Sequence, residues 1–315
     1  MNTPVIKKAL VTGGAGFIGG HLIEALLSGG TEVVVLDNFR TGNPRNLDGL
    51  PVRLVRGCIT DRAAVRDAVK GCDTVFHLAA LVSVPESMER VHDCVSLNVT
   101  GLLTVLEEAS AAGARKLVLS SSAAIYGDDP EVPKHEDMRP APKSPYAITK
   151  LDGEYYCALF AATGRIETAC LRYFNVFGPR QNPRSAYAAA VPIFIRRALA
   201  GEPVVIHGDG GQTRDFVFVK DVAAANLFAA RTGGLTGVFN VGYGKSLSIR
   251  ELAERIIAQT GSRGGIVNEA PRAGDVRHSL ASARKLFSAG FTPAHDLEGG
   301  LAETLAWYRS EAGSA

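Results

Sequence analysis

Ala9-Leu10-Val11-Thr12-Gly13-Gly14-Ala15-Gly16-Phe17-Ile18-Gly19 carries an apolar run into four glycines and out into an amphipathic stretch. Gly14, Gly16 and Gly19 satisfy GxGxxG, and Gly13, Gly16 and Gly19 satisfy GxxGxxG. Either way the physics is one: a tight turn, a backbone bare enough to meet a pyrophosphate, and a helix packed close on the strand. The N-terminus of that helix offers N–H groups and the positive end of its dipole to phosphate. Glycine-rich strand-to-helix turns also occur without a ligand. Here Val33-Val34-Val35-Leu36-Asp37 follows, and Asp37 lies 18 positions beyond Gly19, where a carboxylate can hold the adenosine ribose hydroxyls. The pattern predicts a dinucleotide site, with NAD favoured over NADP because Asp37 would repel a 2′-phosphate. Arg40 stands against that preference as a cation able to receive such a phosphate, or lies in solvent beside the adenine.

Outward from this turn the chain alternates short apolar runs with longer helical stretches. Val5–Thr12, Glu32–Leu36, Val52–Arg56, Asp73–Leu78, Lys116–Ser120 and Glu167–Arg172 read as strands, several of them apolar on both faces as buried parallel strands are. Phe17–Leu27, Ala63–Val69, Leu97–Ala111 and Tyr146–Ala162 read as helices. This alternation predicts an α/β fold, a Rossmann-like doubly wound parallel sheet, with a smaller C-terminal substrate-binding α/β unit. The rhythm breaks after about Asn175 into Pro- and Gly-rich connections. The expected division is a dinucleotide domain over 1–175, with returning segments about 216–245 (Phe216–Val222 and Gly237–Val241 as sheet material), and a unit mainly over 176–315.

The 315 residues are 46% hydrophobic, enough for a large core, and 34 Lys+Arg against 32 Asp+Glu leave a net charge of only +2. So balanced a chain does not advertise nucleic acid or an anionic membrane as partner. No apolar run approaches the roughly 18 residues of a membrane span, and glycine arrives too early for a signal-peptide core, so a cytoplasmic protein is expected. Five scattered cysteines without CxxC and seven histidines without HExxH give no disulfide framework and no metal site.

Tyr146 and Lys150 stand at i, i+4 on one helix face. Bringing a phenol from about 10 to about 7 takes about 4 kcal/mol. One positive charge about 5 Å away at an effective dielectric of about 20 supplies about 3 kcal/mol. Lys150 together with an oxidised nicotinamide would make Tyr146 a usable general base. YxxxK is common on helices as a surface tyrosine and a solvated lysine; what lifts it is Ser120-Ser121-Ser122 at the carboxyl end of an apolar strand in the same array.

With these residues in view, the chain resembles the extended short-chain dehydrogenase/reductase family, and within it the UDP-hexose 4-epimerases. TGGAGFIG, HLAA, SSSAAIYG, SPYAITK, LRYFNVFGPRQ, GDGGQTRDFVFVKDV and PRAGDVRHSLA occur in family order over nearly the whole chain. The resemblance implies Ser122, Tyr146 and Lys150 as the catalytic set. It implies cofactor contacts from Gly13, Gly16, Phe17, Ile18, Asp37, Asn38, Arg40, Thr41, Gly42, Cys58, Ile59, Leu78, Ala79, Ala80, Val82, Asn98, Ser120 and Phe174 besides Tyr146 and Lys150. It implies substrate contacts from Ser83, Ser122, Tyr146, Asn175, Arg214, Arg272, Asp275 and Ser279, with Ala189, Ala190, Val205 and His207 near a uridine. Arginines suit a diphosphate because they donate in pairs, although Arg214 and Arg272 could each be a surface ion pair. Two positions depart from the family. Cys58 stands where an acidic residue usually meets the adenine amino group, leaving that bond lost or supplied by Asp61; Val82 stands where some members carry lysine.

The implied reaction is reversible inversion at C4 of a UDP-hexose. Dehydratase relatives carry an Asp-Glu pair just after the serine, and decarboxylating relatives a glutamate; this chain has Ala123 and Ala124, which cannot serve as acid or base. A UDP-glucuronate 4-epimerase is the alternative, since Arg184 or Arg277 could meet a C6 carboxylate. A non-catalytic NAD-binding regulator is the reading from outside enzymology. Ser279 falls where the family places a gate beside the sugar, and a serine there would admit a C2 N-acetyl group, unless it is a strand-end serine facing solvent. Leu102, Leu103, Val105 and Leu106 with Leu151, Tyr155, Tyr156, Leu159 and Phe160 leave a second apolar stripe on two helices, which predicts a homodimer.

Overall fold

The computed structural model describes residues 5–182, 189–271 and 276–313. The first half builds β1 (Lys8–Thr12), α1 (Phe17–Ser28), β2 (Glu32–Asp37), β3 (Val52–Arg56), α2 (Arg62–Val69) and β4 (Thr74–His77). Then come α3 (Val84–Glu89), α4 (Val91–Val95), a π-helical turn (Ser96–Thr100), α5 (Gly101–Ala111), β5 (Lys116–Ser122), α6 (Pro145–Ala162) and β6 (Glu167–Tyr173). The second half is cut finer: β7 (Asn175–Phe177), α7 (Ala190–Leu199), β8 (Val204–His207), β9 (Thr213–Arg214), β10 (Phe216–Phe218), α8 (Val219–Arg231) and β11 (Gly237–Val241). It closes with β12 (Leu247–Ser248), α9 (Ile249–Thr260), β13 (Ile266–Glu269), β14 (His278–Ser279), α10 (Arg284–Ser288) and α11 (Leu297–Gly313).

Seven strands form one parallel sheet in the order β11-β6-β5-β4-β1-β2-β3. The chain winds from β1 outward to β3, then crosses back to β4, so the winding reverses between β1 and β4; this is the Rossmann-like doubly wound plan, and the reversal opens a crevice at the carboxyl ends of those strands. Inner strands are buried nearly throughout, whereas edge strand β3 (Val-Arg-Leu-Val-Arg) is largely exposed and carries arginines that discourage edge pairing. One face of the sheet is covered by Leu22, Ile23, Val222, Ala225 and Ala229 from α1 and α8. The other is covered by Val65, Leu102, Val105, Leu106, Cys157 and Phe160 from α2, α5 and α6. A separate core joins Phe177, Phe194, Ile195, Leu252, Ile256, Leu301 and Leu305. There the sheets are small: β7 with β10, β8 with β13, and β12-β9-β14.

Four expectations are corrected. The first strand begins at Lys8, not Val5, which is exposed. The helix expected over 97–111 starts as a π turn. Phe216–Val222 is strand only to Phe218, pairs with β7 outside the large sheet, and continues as helix from Val219; Gly237–Val241 is the segment that joins the large sheet, beside β6. Finally, Leu102, Val105 and Leu106 are buried within the chain's own core, so the free apolar stripe is not on α5. It lies on α4 (Val91, Val95) and α6 (Ile148, Tyr155, Leu159), all exposed. No helix among the described residues is long and apolar enough to cross a membrane.

Candidate active site

Gly13 turns the chain at φ 72°, and a Cβ there would lie 2.7 Å from the Ala79 backbone nitrogen. The turn thus presses against Leu78–Ala80, which leaves β4: the Leu78 N–H donates to the Thr12 carbonyl and the Ala79 N–H to the Thr12 hydroxyl. A Cβ on Gly19 would meet the Gly13 carbonyl at 2.4 Å, so both glycine readings are satisfied at once by Gly13, Gly14, Gly16 and Gly19. The helix that follows starts at Gly16 with no side-chain cap and no acid in its first turn, unlike α2, α3, α6 and α9, which side-chain oxygens of Asp61, Ser83, Ser144 and Ser248 cap, and like α5 and α7. Its opening N–H groups face the crevice undiminished, the donor set that a dinucleotide pyrophosphate requires.

Asp37 is buried at the end of β2, where its carboxylate accepts the Ala15 N–H at 3.0 Å and the Phe39 N–H at 2.8 Å. Asn46, which sequence reading did not single out, donates to the Ala15 carbonyl at 2.8 Å. Ala15 in the glycine turn is therefore held by its N–H on one side and by its carbonyl on the other. Asn38 accepts the Arg40 N–H, Arg40 pairs with Glu86, Thr41 is exposed, and Gly42 passes close to Ala15. Phe17 and Ile18 are half-buried in the first turn of α1. Cys58 is half-buried and accepts from Thr60; Ile59 is buried beneath Gly101. Asp61 spends one carboxylate oxygen on the Ala63 and Ala64 N–H groups, which makes it the cap of α2. Val82 is exposed, and Ser83 accepts the Glu86 N–H at 3.2 Å.

At the carboxyl end of β5, Ser122, Tyr146 and Lys150 converge. Ser144 accepts the Ala147 N–H and Pro145 opens α6, which sets Tyr146 in the first turn and Lys150 one turn on. The Ser122 hydroxyl stands beside the Tyr146 phenol and accepts the Ala124 N–H at 3.1 Å, and the Lys150 ammonium donates to the Ser120 carbonyl at 2.6 Å. Burial pushes the phenol up, against the neighbouring Ser122 hydroxyl that pulls it down, and a nearby Cys94 adds to the rise. Burial likewise lowers Lys150 from 10.5 to about 8. Burial is the largest influence on both groups, because the packing that brings the Lys150 ammonium to 5.8 Å from the Tyr146 ring centroid also removes water from the pair.

Asn98 is tied into the protein through both ends of its amide. Its oxygen accepts the Leu81 N–H at 2.7 Å, and its amide donates to the Leu81 carbonyl and to Thr149, both at 3.0 Å. Placed in the π turn, it ties the β4 exit to the residue before Lys150; π turns recur at functional sites for such re-aiming. Phe174 is buried with Tyr126, Met138 and Ala281. Sequence reading also missed Glu154, one turn beyond Lys150, whose carboxylate accepts Arg172 at 2.9 and 2.7 Å and the Ser121 hydroxyl. Only the i, i+4 spacing from Lys150 hinted at it.

The substrate candidates follow from strand register. Ser122 pairs with Tyr173, two residues before Asn175, and Asn175 pairs with Phe216, two residues after Arg214. Arg214 in turn pairs with Ser279. Asn175 also donates its side-chain amide to the Asp215 carbonyl at 3.3 Å. Asp215, unforeseen, is fully buried and accepts N–H groups of Tyr243, Gly244 and Ala281; burial raises it to about 6. Val205 and His207 lie on β8, Ala189 and Ala190 at the start of α7. Arg277 meets Asp209 through two bonds of 2.9 Å, and His278 meets Thr213. Arg184, Arg272 and Asp275 lie outside the described residues.

Residues 9–242 match the NAD dependent epimerase/dehydratase family. A UDP-glucose 4-epimerase of Mycolicibacterium smegmatis is 37% identical over 311 residues, covering 96% of this chain and 99% of the relative. A UDP-N-acetyl-alpha-D-glucosaminuronate decarboxylase of Bacillus cytotoxicus is 33% identical over 317 residues, covering 96% and 98%. Among solved structures, UDP-N-acetylglucosamine 4-epimerase of Methanobrevibacter ruminantium in complex with UDP-N-acetylmuramic acid superposes with a TM-score of 0.94 at 38% identity, over 98% of this chain and 100% of that one. UDP-glucose 4-epimerase of Thermus thermophilus in complex with NAD gives 0.88 at 37%, over 96% and 99%.

Proposed function

The chain belongs to the NAD dependent epimerase/dehydratase family, and from that premise we propose that it is a UDP-sugar 4-epimerase that inverts C4 of a UDP-hexose through a 4-keto sugar. One observation carries this choice within the family: Ser122, Tyr146 and Lys150 meet at the end of β5, while the turn that follows Ser122 is made of Ala123 and Ala124. No acid or base stands there to remove water or a carboxylate.

Tyr146 takes the proton of the 4-hydroxyl, and Ser122 fixes the direction of that hydroxyl. Lys150 holds the ribose on the nicotinamide side and favours the phenolate. NAD, when bound, supplies the hydride acceptor for C4 and gives the hydride back. Gly13–Gly19 and the uncapped start of α1 hold its pyrophosphate, and Asp37 its adenosine ribose. Between the two transfers the keto sugar must present its other face, so the substrate is gripped at its UDP end, by Arg214, Arg272 and Asn175, and left loose at its ring. Residues 1–175 with the returning segments form the cofactor unit, and 176–315 mainly the UDP-sugar unit. Ser279, beside Arg214, leaves room for a C2 N-acetyl group. The uronate reading loses one support, since Arg277 is taken up by Asp209.

A panel of UDP-hexoses, incubated with the protein and separated as C4 epimers, tests this reading. Interconversion without loss of mass supports it; a product lighter by water or carbon dioxide, or no product at all, contradicts it. The exposed stripe of α4 and α6 is the proposed dimer face, and a one-chain mass in light scattering at micromolar concentration would contradict that part.

A further inference from the structure

We propose that Glu86 selects the cofactor: by holding Arg40 it withholds from the adenosine ribose the cation that would accept a 2′-phosphate, so that the site takes NAD and rejects NADP. This rests on the dinucleotide reading above and adds to it a residue no sequence motif marks.

Arg40 lies three positions beyond Asp37 in the stretch leaving β2, and Glu86 in the first turn of α3, just after the β4 exit. Because β1 lies between β2 and β4, an ion pair from one exit to the other passes over the end of β1 and its glycine turn. Two strand spacings, about 10 Å, separate those exits, within the combined reach of an arginine and a glutamate. Both ends are pinned. The Arg40 N–H donates to Asn38, and the preceding Phe39 stands at φ 57° under the Arg56 guanidinium. The Glu86 N–H donates to Ser83, and Arg90 steadies its carboxylate from one turn below at 3.6 Å. Arg40 and Glu86 side chains are 31% and 28% exposed, and the pair is held by the geometry of both ends.

Asp37 and Glu86 therefore act in different ways. Asp37 repels a 2′-phosphate directly, with its charge fixed by two backbone N–H bonds. Glu86 neutralises the guanidinium that would otherwise compensate, since arginine pairs strongly with phosphate. An arginine after β2 is usually read as a sign of NADP; here its partner on the opposite bank of the crevice reverses that reading.

The test is a competition. Wild type, Glu86→Gln and the double variant Arg40→Met/Glu86→Gln are held in equimolar NAD and NADP, freed of unbound nucleotide and denatured, and the released dinucleotides are counted by chromatography. Position 86 is partly exposed, so the amide is tolerated without repacking. The ratio of bound NADP to NAD should rise about tenfold in Glu86→Gln and fall back in the double variant. A ratio within about twofold of wild type in Glu86→Gln, or a gain that survives loss of Arg40, overturns the proposal. A wild-type protein that retains neither dinucleotide would instead overturn the reading beneath it, and is told apart because the unaltered chain itself fails.

Discussion

The dinucleotide side of this molecule and the side proposed to hold the substrate are built to different standards of rigidity. β1 is locked by five register pairs to β2 and four to β4, and the glycine turn rises from that triple ladder with Ala15 held on both sides. Arg214 and Ser279 belong to β9 and β14, joined by two register pairs in a sheet of only three strands. Fewer pairings mean fewer contacts to break when a segment shifts. An enzyme that keeps its dinucleotide while turning its sugar needs this inequality: N–H donors preset on one side, and on the other a grip at the nucleotide end that tolerates motion at the ring.

The contrast can be broken from either side. The largest effect is expected at the seam, where Tyr146→Phe removes one oxygen and should lower turnover by about 10² to 10⁴, with NAD still bound because the glycine turn is untouched. Retention of more than about a tenth of the rate, or loss of bound NAD, would show that the phenol is not the base or that the cofactor side is less independent than drawn. Ser279→Tyr probes the looser side. Turnover of UDP-N-acetylhexosamine should fall by more than about tenfold while any UDP-glucose turnover stays within about threefold, since a one-sided steric block discriminates by roughly this much. Equal loss of both, or of neither, would remove Ser279 from the sugar pocket.

A third effect concerns stability. Lys150 sits at about 8 in the fold against an ordinary 10.5, so between these values the unfolded chain binds more protons and stability rises with pH. The deficit is complete below pH 8, about 3 kcal/mol in order of magnitude, and is relieved by pH 10.5. Lys150→Met should lose activity, and its stability advantage over wild type in urea should shrink between pH 7.5 and pH 10. A difference constant across that range would mean that Lys150 is not a desolvated ammonium. Its buried position would then be as indifferent to charge as the surface is.

Patterns carried by adjacent residues were legible without coordinates. Gly13, Gly16 and Gly19 with Asp37, the apolar strands, and Tyr146 with Lys150 are all local in sequence, and a strand or helix of fixed pitch converts spacing directly into direction in space. What could not be read was decided by partners far along the chain. Asn98 reads in the sequence as a cofactor contact, and the fold also makes it a tie between Leu81 and Thr149. Val219–Val222 is helix, with Asp221 in its first turn held by Tyr243, Ala294 and His295, and Gly237–Val241 takes the place beside β6. Asp215 and Glu154 are ordinary acids in the sequence, and only burial shows what they hold. The charge state of Tyr146 and Lys150 belongs to this second group as well. Spacing on a helix determines that the two meet, but the energy of their charges depends on how much water the surrounding chain excludes, and that is a property of the assembled fold.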